Sequence, residues 1–119
     1  MFYTDSHEWI SIDGKKGRVG ITKYARSELG EIVFVELPKV GLNVQAGEEV
    51  SVLESTKAAS DVYTPVSGTI LAVHEVLNRN LESLNQDPES LGWLYEIELS
   101  DPKELDHLSN AEEYRALRG

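Results

Sequence analysis

Apolar residues in this chain come in short runs, and the longest uninterrupted runs hold four residues, as in Ile-Val-Phe-Val at 32–35. The runs alternate with polar residues and are separated by glycine, proline and aspartate turn signals at intervals of roughly 8–12 residues. Four residues are far fewer than the roughly 20 that a membrane-spanning helix requires. The pattern therefore predicts a mainly β domain of short strands, and it argues against a membrane span or a signal-peptide core.

Length, charge and cysteine content exclude several kinds of partner and of chemistry for this chain. The chain has 119 residues, which suits a single domain, and its 21 acidic and 11 basic residues give a formal net charge of −10. Such a surface repels phosphate backbones and anionic lipids, so nucleic-acid and membrane partners are disfavoured. Because there is no cysteine, disulfide scaffolds and cysteine nucleophiles are excluded, and any thiol chemistry must come from an added group.

Turn and cap residues predict the boundaries of the elements in the first part of the chain. Asp13-Gly14 is a typical hairpin turn between two strands. Thr22 is placed to cap a short helix over residues 23–29, and Gly30 stands where a left-handed residue commonly ends a helix.

The C-terminal region, about residues 101–118, is predicted to be helical. Pro102 stands at a first helical position, where its missing N–H is not needed. Ser109 and Glu112 have the spacing of a capping box for the final helix.

One lysine is the best candidate for carrying chemistry. Small polar residues at 55–60 lie between two alternating runs and predict the tip of a β-hairpin. Lys57 lies in that tip and is the only lysine or arginine between Lys39 and Arg79. An exposed lysine amine can form a stable amide with a carboxylic acid cofactor, which would make it a tethered carrier. From spacing alone, an ordinary solubilising turn lysine is the competing interpretation.

Several blocks of the chain resemble the glycine cleavage system H-protein family. The segment 54–61, Glu-Ser-Thr-Lys-Ala-Ala-Ser-Asp, is similar to the motif around that family's lipoyl-bearing lysine. Biotinyl carriers share the fold but typically place methionines beside the lysine, where this chain has Thr56 and Ala58. Further matching blocks occur in the same order along the chain, at 3–9, 19–22, 29–30, 33–38, 46–48, 65–68, 92–94, 99–102 and 111–114.

The resemblance implies a fold. It is a barrel-sandwich hybrid of the lipoyl and biotinyl carrier type, with two small antiparallel sheets and short helices, including C-terminal ones. The whole chain, 1–119, would be one carrier domain with Lys57 at the tip of a hairpin.

The resemblance also implies a function. Lipoic acid, joined covalently to Lys57, would shuttle an aminomethyl group from glycine decarboxylase (P protein) to a tetrahydrofolate-dependent aminomethyltransferase (T protein). Dihydrolipoamide dehydrogenase (L protein) would reoxidise the arm, and a lipoate ligase or lipoyl/octanoyl transferase would attach it. The chain would be a non-catalytic, monomeric carrier in the bacterial cytoplasm, or in the mitochondrial matrix if a transit peptide has been removed.

Four further residues are candidates for a cleft that would hold the loaded arm. By the resemblance, Ser6, His7 and Glu8 of the opening motif and Asp61 after the lysine match polar positions near the arm. Carboxylates are the expected partners of a protonated aminomethyl group. For His7 a structural role is the first interpretation, and for Asp61 a hairpin-closing role competes with docking.

Alternative functions remain open from sequence alone. A lipoylated carrier could serve lipoyl relay or another pathway without a full glycine cleavage system, or the fold could be an unmodified binding domain. A carboxylate-based hydrolase or lyase lacks a visible catalytic constellation. The acidic stretch 96–113 could serve solubility or dock basic patches of partner enzymes. Thr56, where valine is more usual in the family, and the segment 88–92 depart from the family pattern.

Overall fold

The computed structural model describes residues 1–118, which contain nine strands, three α-helices and two 3₁₀ segments. The strands are β1 Phe2–Tyr3, β2 Glu8–Asp13, β3 Lys16–Ile21, β4 Ile32–Glu36, β5 Asn43–Val44, β6 Glu49–Ser55, β7 Ala59–Tyr63, β8 Gly68–Val73 and β9 Tyr95–Leu99. The helices are α1 Lys23–Leu29, α2 Glu82–Gln86 and α3 Ala111–Arg118, and the 3₁₀ segments are Glu75–Asn78 and Pro102–His107. Over the described range, no helix has the length and apolar character to cross a membrane.

The larger sheet has six strands in the order β1-β2-β3-β9-β8-β5, and every neighbouring pair is antiparallel. The β2–β3 hairpin turns at Gly14, whose φ is +65°, as the Asp13-Gly14 signal predicts. Trp9 lies opposite Gly20 in this hairpin, and a Cβ at Gly20 would lie 2.8 Å from the indole ring. Only glycine leaves space there for the buried tryptophan.

The smaller sheet carries the predicted lysine hairpin. Its order is β4-β6-β7, and the β6–β7 pairing extends to Glu54 opposite Ala59. One further hydrogen bond, from the amide of Ser55 to the carbonyl of Ala58, closes the turn at 2.8 Å. The tip is therefore shorter than the predicted 55–60, because strand pairing continues into that segment from both sides.

A single cluster of buried apolar side chains joins the two sheets. Val35, Leu53 and Val62 come from the three strands of the smaller sheet, and Ile70 and Ile97 are among those from the larger one. Each side chain of this kind contributes about 1.5–3 kcal/mol relative to full exposure. The predicted class, mainly β with two antiparallel sheets and short helices, is confirmed, and both sheets are open.

The first helix begins as predicted, but the backbone conformation of the residue that follows it differs from the prediction. The Thr22 hydroxyl accepts a hydrogen bond from the Ala25 amide at 3.2 Å, which is the expected N-cap. Gly30 follows the helix with φ +85° and ψ −164°. The φ is positive, as predicted, but the ψ is not left-handed helical, because the chain extends directly into β4.

The last helix is capped one residue later than predicted. The Asn110 carboxamide oxygen accepts from the Glu113 amide at 2.8 Å, and the Glu113 carboxylate accepts from the Asn110 amide at 2.9 Å. Ser109 is not the cap because its N–H and C=O both pair with Tyr3, at 2.9 and 2.7 Å. The segment Pro102–His107 is 3₁₀, capped by the Asp101 carboxylate.

Replacing Asn110 with alanine should lower the free energy of unfolding by about 1 kcal/mol, the usual cost of losing an N-cap. Urea denaturation with an unchanged m-value is the measurement. Ser109→Ala is the matched control and should change little, because Ser109 acts through its backbone. A larger effect at Ser109 than at Asn110 would show that the predicted capping box is the correct one.

Candidate functional site

Lys57 lies at the exposed tip of the β6–β7 hairpin. The Ser55 hydroxyl oxygen accepts hydrogen bonds from the amides of Lys57 and Ala58, both at 3.1 Å. A side chain that bonds its neighbours' backbone in this way fixes a turn without further packing. The backbone of the tip is therefore held in place while the lysine side chain projects away from it.

The lysine stem lies over a glycine. A Cβ at Gly30 would lie 3.0 Å from Lys57 Cε and 3.4 Å from Nζ. The missing side chain at Gly30 thus gives the stem its space. Over residues 1–118, the Lys57 ammonium has no hydrogen bond or ion pair, so the amine is free for modification.

The exposed face of the smaller sheet around this lysine is acidic. Glu36, Glu49, Glu54 and Asp61 are all exposed, and the three strands contain no lysine or arginine. The nearby Asp61 carboxylate raises the pKa of Glu49. The structure therefore places Asp61 beside other carboxylates on the outer face of the hairpin.

A cleft of about 360 Å³ lies at the other end of β7 from Lys57. One wall is the loop between β1 and β2, the second is the end of β7, and the third is the C-terminal region. The lining residues include Thr4, Ser6, Glu8, Tyr63, Thr64, His107, Ser109 and Leu117. Ser6 and Glu8 are thus brought together here, whereas His7 and Asp61 are not among the residues that line this cleft.

Glu8 is a buried carboxylate in the wall of the cleft, with only 2% of its surface exposed. The hydroxyls of Thr4 and Ser6 donate to its Oε1 at 2.5 and 2.6 Å, and the Tyr63 amide donates to its Oε2 at 3.1 Å. Burial raises the pKa of Glu8, and the hydrogen bonds from Ser6, Thr4 and Tyr63 oppose that shift only in part.

His7 points away from the cleft. Its φ is +72°, which turns the ring to the opposite side of the loop from Ser6 and Glu8. There the imidazole Nδ1 lies 2.7 Å from the Tyr114 hydroxyl, and the ring packs 4.7 Å from Tyr24. These contacts support the structural interpretation of His7.

Sequence reasoning missed several parts of the cleft. Thr4 precedes Glu8 by four residues in a tight loop. A hydroxyl at that spacing from a carboxylate was a usable signal for a hydrogen bond between the two side chains. The Tyr63 amide and the wall formed by His107 and Ser109 gave no signal, because they are distant in sequence and act partly through backbone. A larger cavity of about 400 Å³ beside α2, lined by His74 and Leu91 among others, contains none of the candidate residues.

The scaffold and its lysine define a class, namely small two-sheet β domains that present a lysine on a hairpin tip. Residues 1–118 match the family model of the glycine cleavage H-protein. The chain is 49% identical to the glycine cleavage system H protein of Dinoroseobacter shibae over 118 residues, 99% of this chain and 97% of the relative. It is 52% identical to the H protein of Halothermothrix orenii over 114 residues, 96% of this chain and 89% of the relative.

A solved structure agrees with these matches. The crystal structure of a glycine cleavage system H protein from Mycobacterium marinum has a TM-score of 0.90 and 40% identity, covering 99% of this chain and 95% of that one. The chain belongs to the glycine cleavage H-protein family.

Replacing Glu8 with glutamine should remove a pH-dependent loss of stability. The folded-state pKa of Glu8 lies above its ordinary value of 4.5, so ionisation destabilises the folded protein as pH rises through the folded-state pKa. Relative to wild type, Glu8→Gln should gain stability as the pH rises from 4.5, the ordinary pKa, through the raised folded-state pKa, with no gain below the unfolded-state pKa. Urea unfolding at a series of pH values is the measurement, with Asp13→Asn, an exposed acid at the other end of β2, as control. A difference between wild type and Glu8→Gln that does not change with pH would contradict the burial argument.

Proposed function

We propose that this protein is the lipoyl-bearing carrier of a glycine cleavage system, with lipoic acid attached to Lys57. The observation that carries the proposal is the lysine itself, at an exposed and fixed hairpin tip, with an ammonium that is unpaired in the described part of the chain. Membership of the H-protein family supports the same chemistry.

The residues around Lys57 suit an acylated lysine. Gly30 leaves space for the stem, and the neighbouring Ala58 and Ala59 add little bulk at the tip. When bound, the lipoyl group supplies a disulfide that takes up an aminomethyl group and becomes a dithiol after its delivery. Because the chain has no cysteine, no protein thiol can compete for that disulfide by exchange.

The proposed partners are enzymes that use the arm in turn. Glycine decarboxylase loads it, the aminomethyltransferase unloads it and dihydrolipoamide dehydrogenase reoxidises it, after a lipoate ligase or lipoyl/octanoyl transferase has installed it. The protein would be a monomeric, non-catalytic carrier in the bacterial cytoplasm. Tethering makes successive transfers nearly intramolecular, which raises the effective concentration of the cargo.

The acidic outer face of the hairpin gives these partners a common feature to recognise. Glu54 and Asp61 lie on the strands that lead to and from Lys57, and Glu36 lies on the neighbouring strand β4. With no lysine or arginine on those strands, the field near the arm is negative. Basic patches on the partner enzymes would therefore be steered to the end of the molecule that carries the cargo.

The cleft at Glu8 is the proposed resting site of the loaded arm. An ionised carboxylate has about four lone-pair positions, and the donors from Thr4, Ser6 and Tyr63 occupy three of them. One acceptor position on Oε2 remains for a primary ammonium. In this site Ser6 orients the carboxylate, Glu8 binds the charge, and the surrounding walls exclude the water that would hydrolyse the cargo.

Lipoylation at Lys57 is tested by the intact mass of the protein from lipoate-supplied cells. We expect a gain of one lipoyl group, lost in Lys57→Arg and retained in the control Lys39→Arg. Lys39 is also an exposed lysine, but it lies outside the hairpin. An unmodified wild-type protein, beside another acceptor that the same ligase does modify, would refute the proposal.

The resting site is tested by how fast the loaded protein loses its cargo in the absence of partner enzymes. Hydrolysis consumes one water and returns the thiol, formaldehyde and ammonia, so release of either product reports it. Glu8→Gln should accelerate this release about tenfold, because a charge-assisted hydrogen bond is lost. Ser6→Ala should have a smaller effect.

Asp13→Asn is the control for this measurement, because Asp13 is an exposed acid at the far end of β2 and lies outside the cleft, and it should not change the rate. Unchanged release in Glu8→Gln would show that the cleft does not hold the cargo. That result would favour the alternative of a lipoylated carrier for lipoyl relay or another pathway, which needs Lys57 but no such cleft.

A further inference from the structure

The loop that supplies Ser6 and Glu8 contains a strained residue. Hydrogen bonds from the Thr4 amide to the Glu8 carbonyl, at 3.0 Å, and from the His7 amide to the Thr4 carbonyl, at 3.2 Å, close the loop. His7 is the only non-glycine residue with positive φ in residues 1–118. Histidine enters this region more readily than most residues, but the conformation persists only where the surroundings enforce it.

Besides the Thr22 amide, which donates to the His7 carbonyl at 3.1 Å, the residue that holds His7 in this conformation is Tyr114 of α3. Its hydroxyl lies 2.7 Å from His7 Nδ1 and 2.8 Å from the Thr22 hydroxyl, so it bridges the loop to the start of α1. The His7 and Tyr114 rings also meet edge to face, with centroids 5.6 Å apart. The imidazole is therefore held by a hydrogen bond and by ring contacts on the side of the loop away from the cleft.

Tyr114 is itself firmly placed. It is 5% exposed, and its ring stacks on that of Tyr3 with centroids 4.8 Å apart and an angle of 11° between the planes. Tyr3 directly precedes the loop, and its backbone pairs with Ser109 just before α3. The C-terminal helix thus contacts the loop at its start, through Tyr3, and near its end, through His7.

We propose that Tyr114 is a positioning residue for the cleft, fixing through His7 the loop conformation that directs Ser6 and Glu8 into it. Tyr114 does not itself line the cleft, although Tyr3, on which its ring stacks, does, and the contact of its hydroxyl with His7 links it to the loop that carries Ser6. With the His7 ring anchored on the outer side, its neighbours on either side in the sequence face inward. This inference rests on the proposed function, because it assigns the loop's geometry to the holding of cargo.

The test uses Tyr114→Phe in the lipoylated full-length protein. Phenylalanine keeps the ring stack on Tyr3 and removes only the hydroxyl that bridges His7 and Thr22. The first readout is the ¹³C titration of the Glu8 carboxylate, which requires no cargo. Because burial is the main cause of the raised pKa of Glu8, a loosened and hydrated loop should lower that pKa toward 4.5.

The second readout is cargo release from the loaded protein, which should be roughly fivefold faster, as expected for one lost neutral hydrogen bond. His7→Asn removes the same contact from the other side, while asparagine still tolerates positive φ. It should reproduce both effects, and it serves as the test variant if Tyr114→Phe folds poorly.

Asn110→Ala is the matched control, since it weakens α3 without touching His7. Brought to the same stability as Tyr114→Phe with dilute urea, it should leave the Glu8 titration and the release rate unchanged. Equal effects in this control would show that Tyr114 is only a tether for the helix and would overturn the inference. An unmoved Glu8 titration in both Tyr114→Phe and His7→Asn would overturn it as well.

Failure of the proposed function would look different. If Glu8→Gln and Tyr114→Phe both leave cargo release unchanged while the Glu8 titration moves in Tyr114→Phe, the cleft does not hold cargo. The positioning of Glu8 by Tyr114 would then stand without that role.

Discussion

The register of the β6–β7 hairpin is the constraint on which the site depends. Leu53 pairs with Ser60, and Val52 with Asp61, which directs Leu53 into the core and Asp61 to solvent. A shift of one residue would exchange the two faces and expose the buried leucine. The cost of that exposure fixes the pairing, and the pairing fixes Lys57 at the turn.

The hairpin is also tied to the larger sheet at its other end. There the Tyr63 amide donates to the Glu8 carboxylate at 3.1 Å. This bond joins the strand that follows the lysine to the loop that carries Ser6. Strand β7 therefore connects the lysine tip to the cleft, with the hydrogen-bonded turn at one end and the buried Glu8 carboxylate at the other.

Glu8 is difficult to explain by stability alone. It is 2% exposed, and its hydrogen-bond partners within residues 1–118 are two hydroxyls and one amide, with no cation among them. A buried carboxylate without a positive partner costs stability, as its raised pKa shows. The strained backbone at His7 is a second cost in the same loop. Two destabilising features in one loop are characteristic of a site maintained for binding. A protonated amine bound to Glu8 would offset the cost of burying its carboxylate.

Local patterns predicted the parts of the molecule that depend on local physics. The turn at Gly14 and the cap at Thr22 follow from residues within four positions of one another, and the tip at Lys57 follows from the alternating runs on either side of it. The cap of α3 was predicted one residue early because a long-range pair with Tyr3 holds the backbone of Ser109. A long-range contact also separates the candidate residues in space. His7 lies between Ser6 and Glu8 in sequence, but its positive φ, enforced from α3, turns it to the other side.

The length of β7 sets the distance between the lysine tip and the cleft. Ala59 and Tyr63 are four residues apart, or about 13 Å along an extended strand. Side chains of alternate residues share one face of a strand. Ala59, Asp61 and Tyr63 therefore lie on the same face of β7, and all three are exposed. An arm that folds back from Lys57 to the cleft would pass over this outer face.

The same outer face of β7 carries the carboxylates proposed to attract basic partners, so a partner docked there would occupy the path of the folded arm. Docking and retraction would then exclude each other, and binding of a partner would itself favour release of the cargo from the cleft, since a ligand shifts an equilibrium toward the state that it binds better.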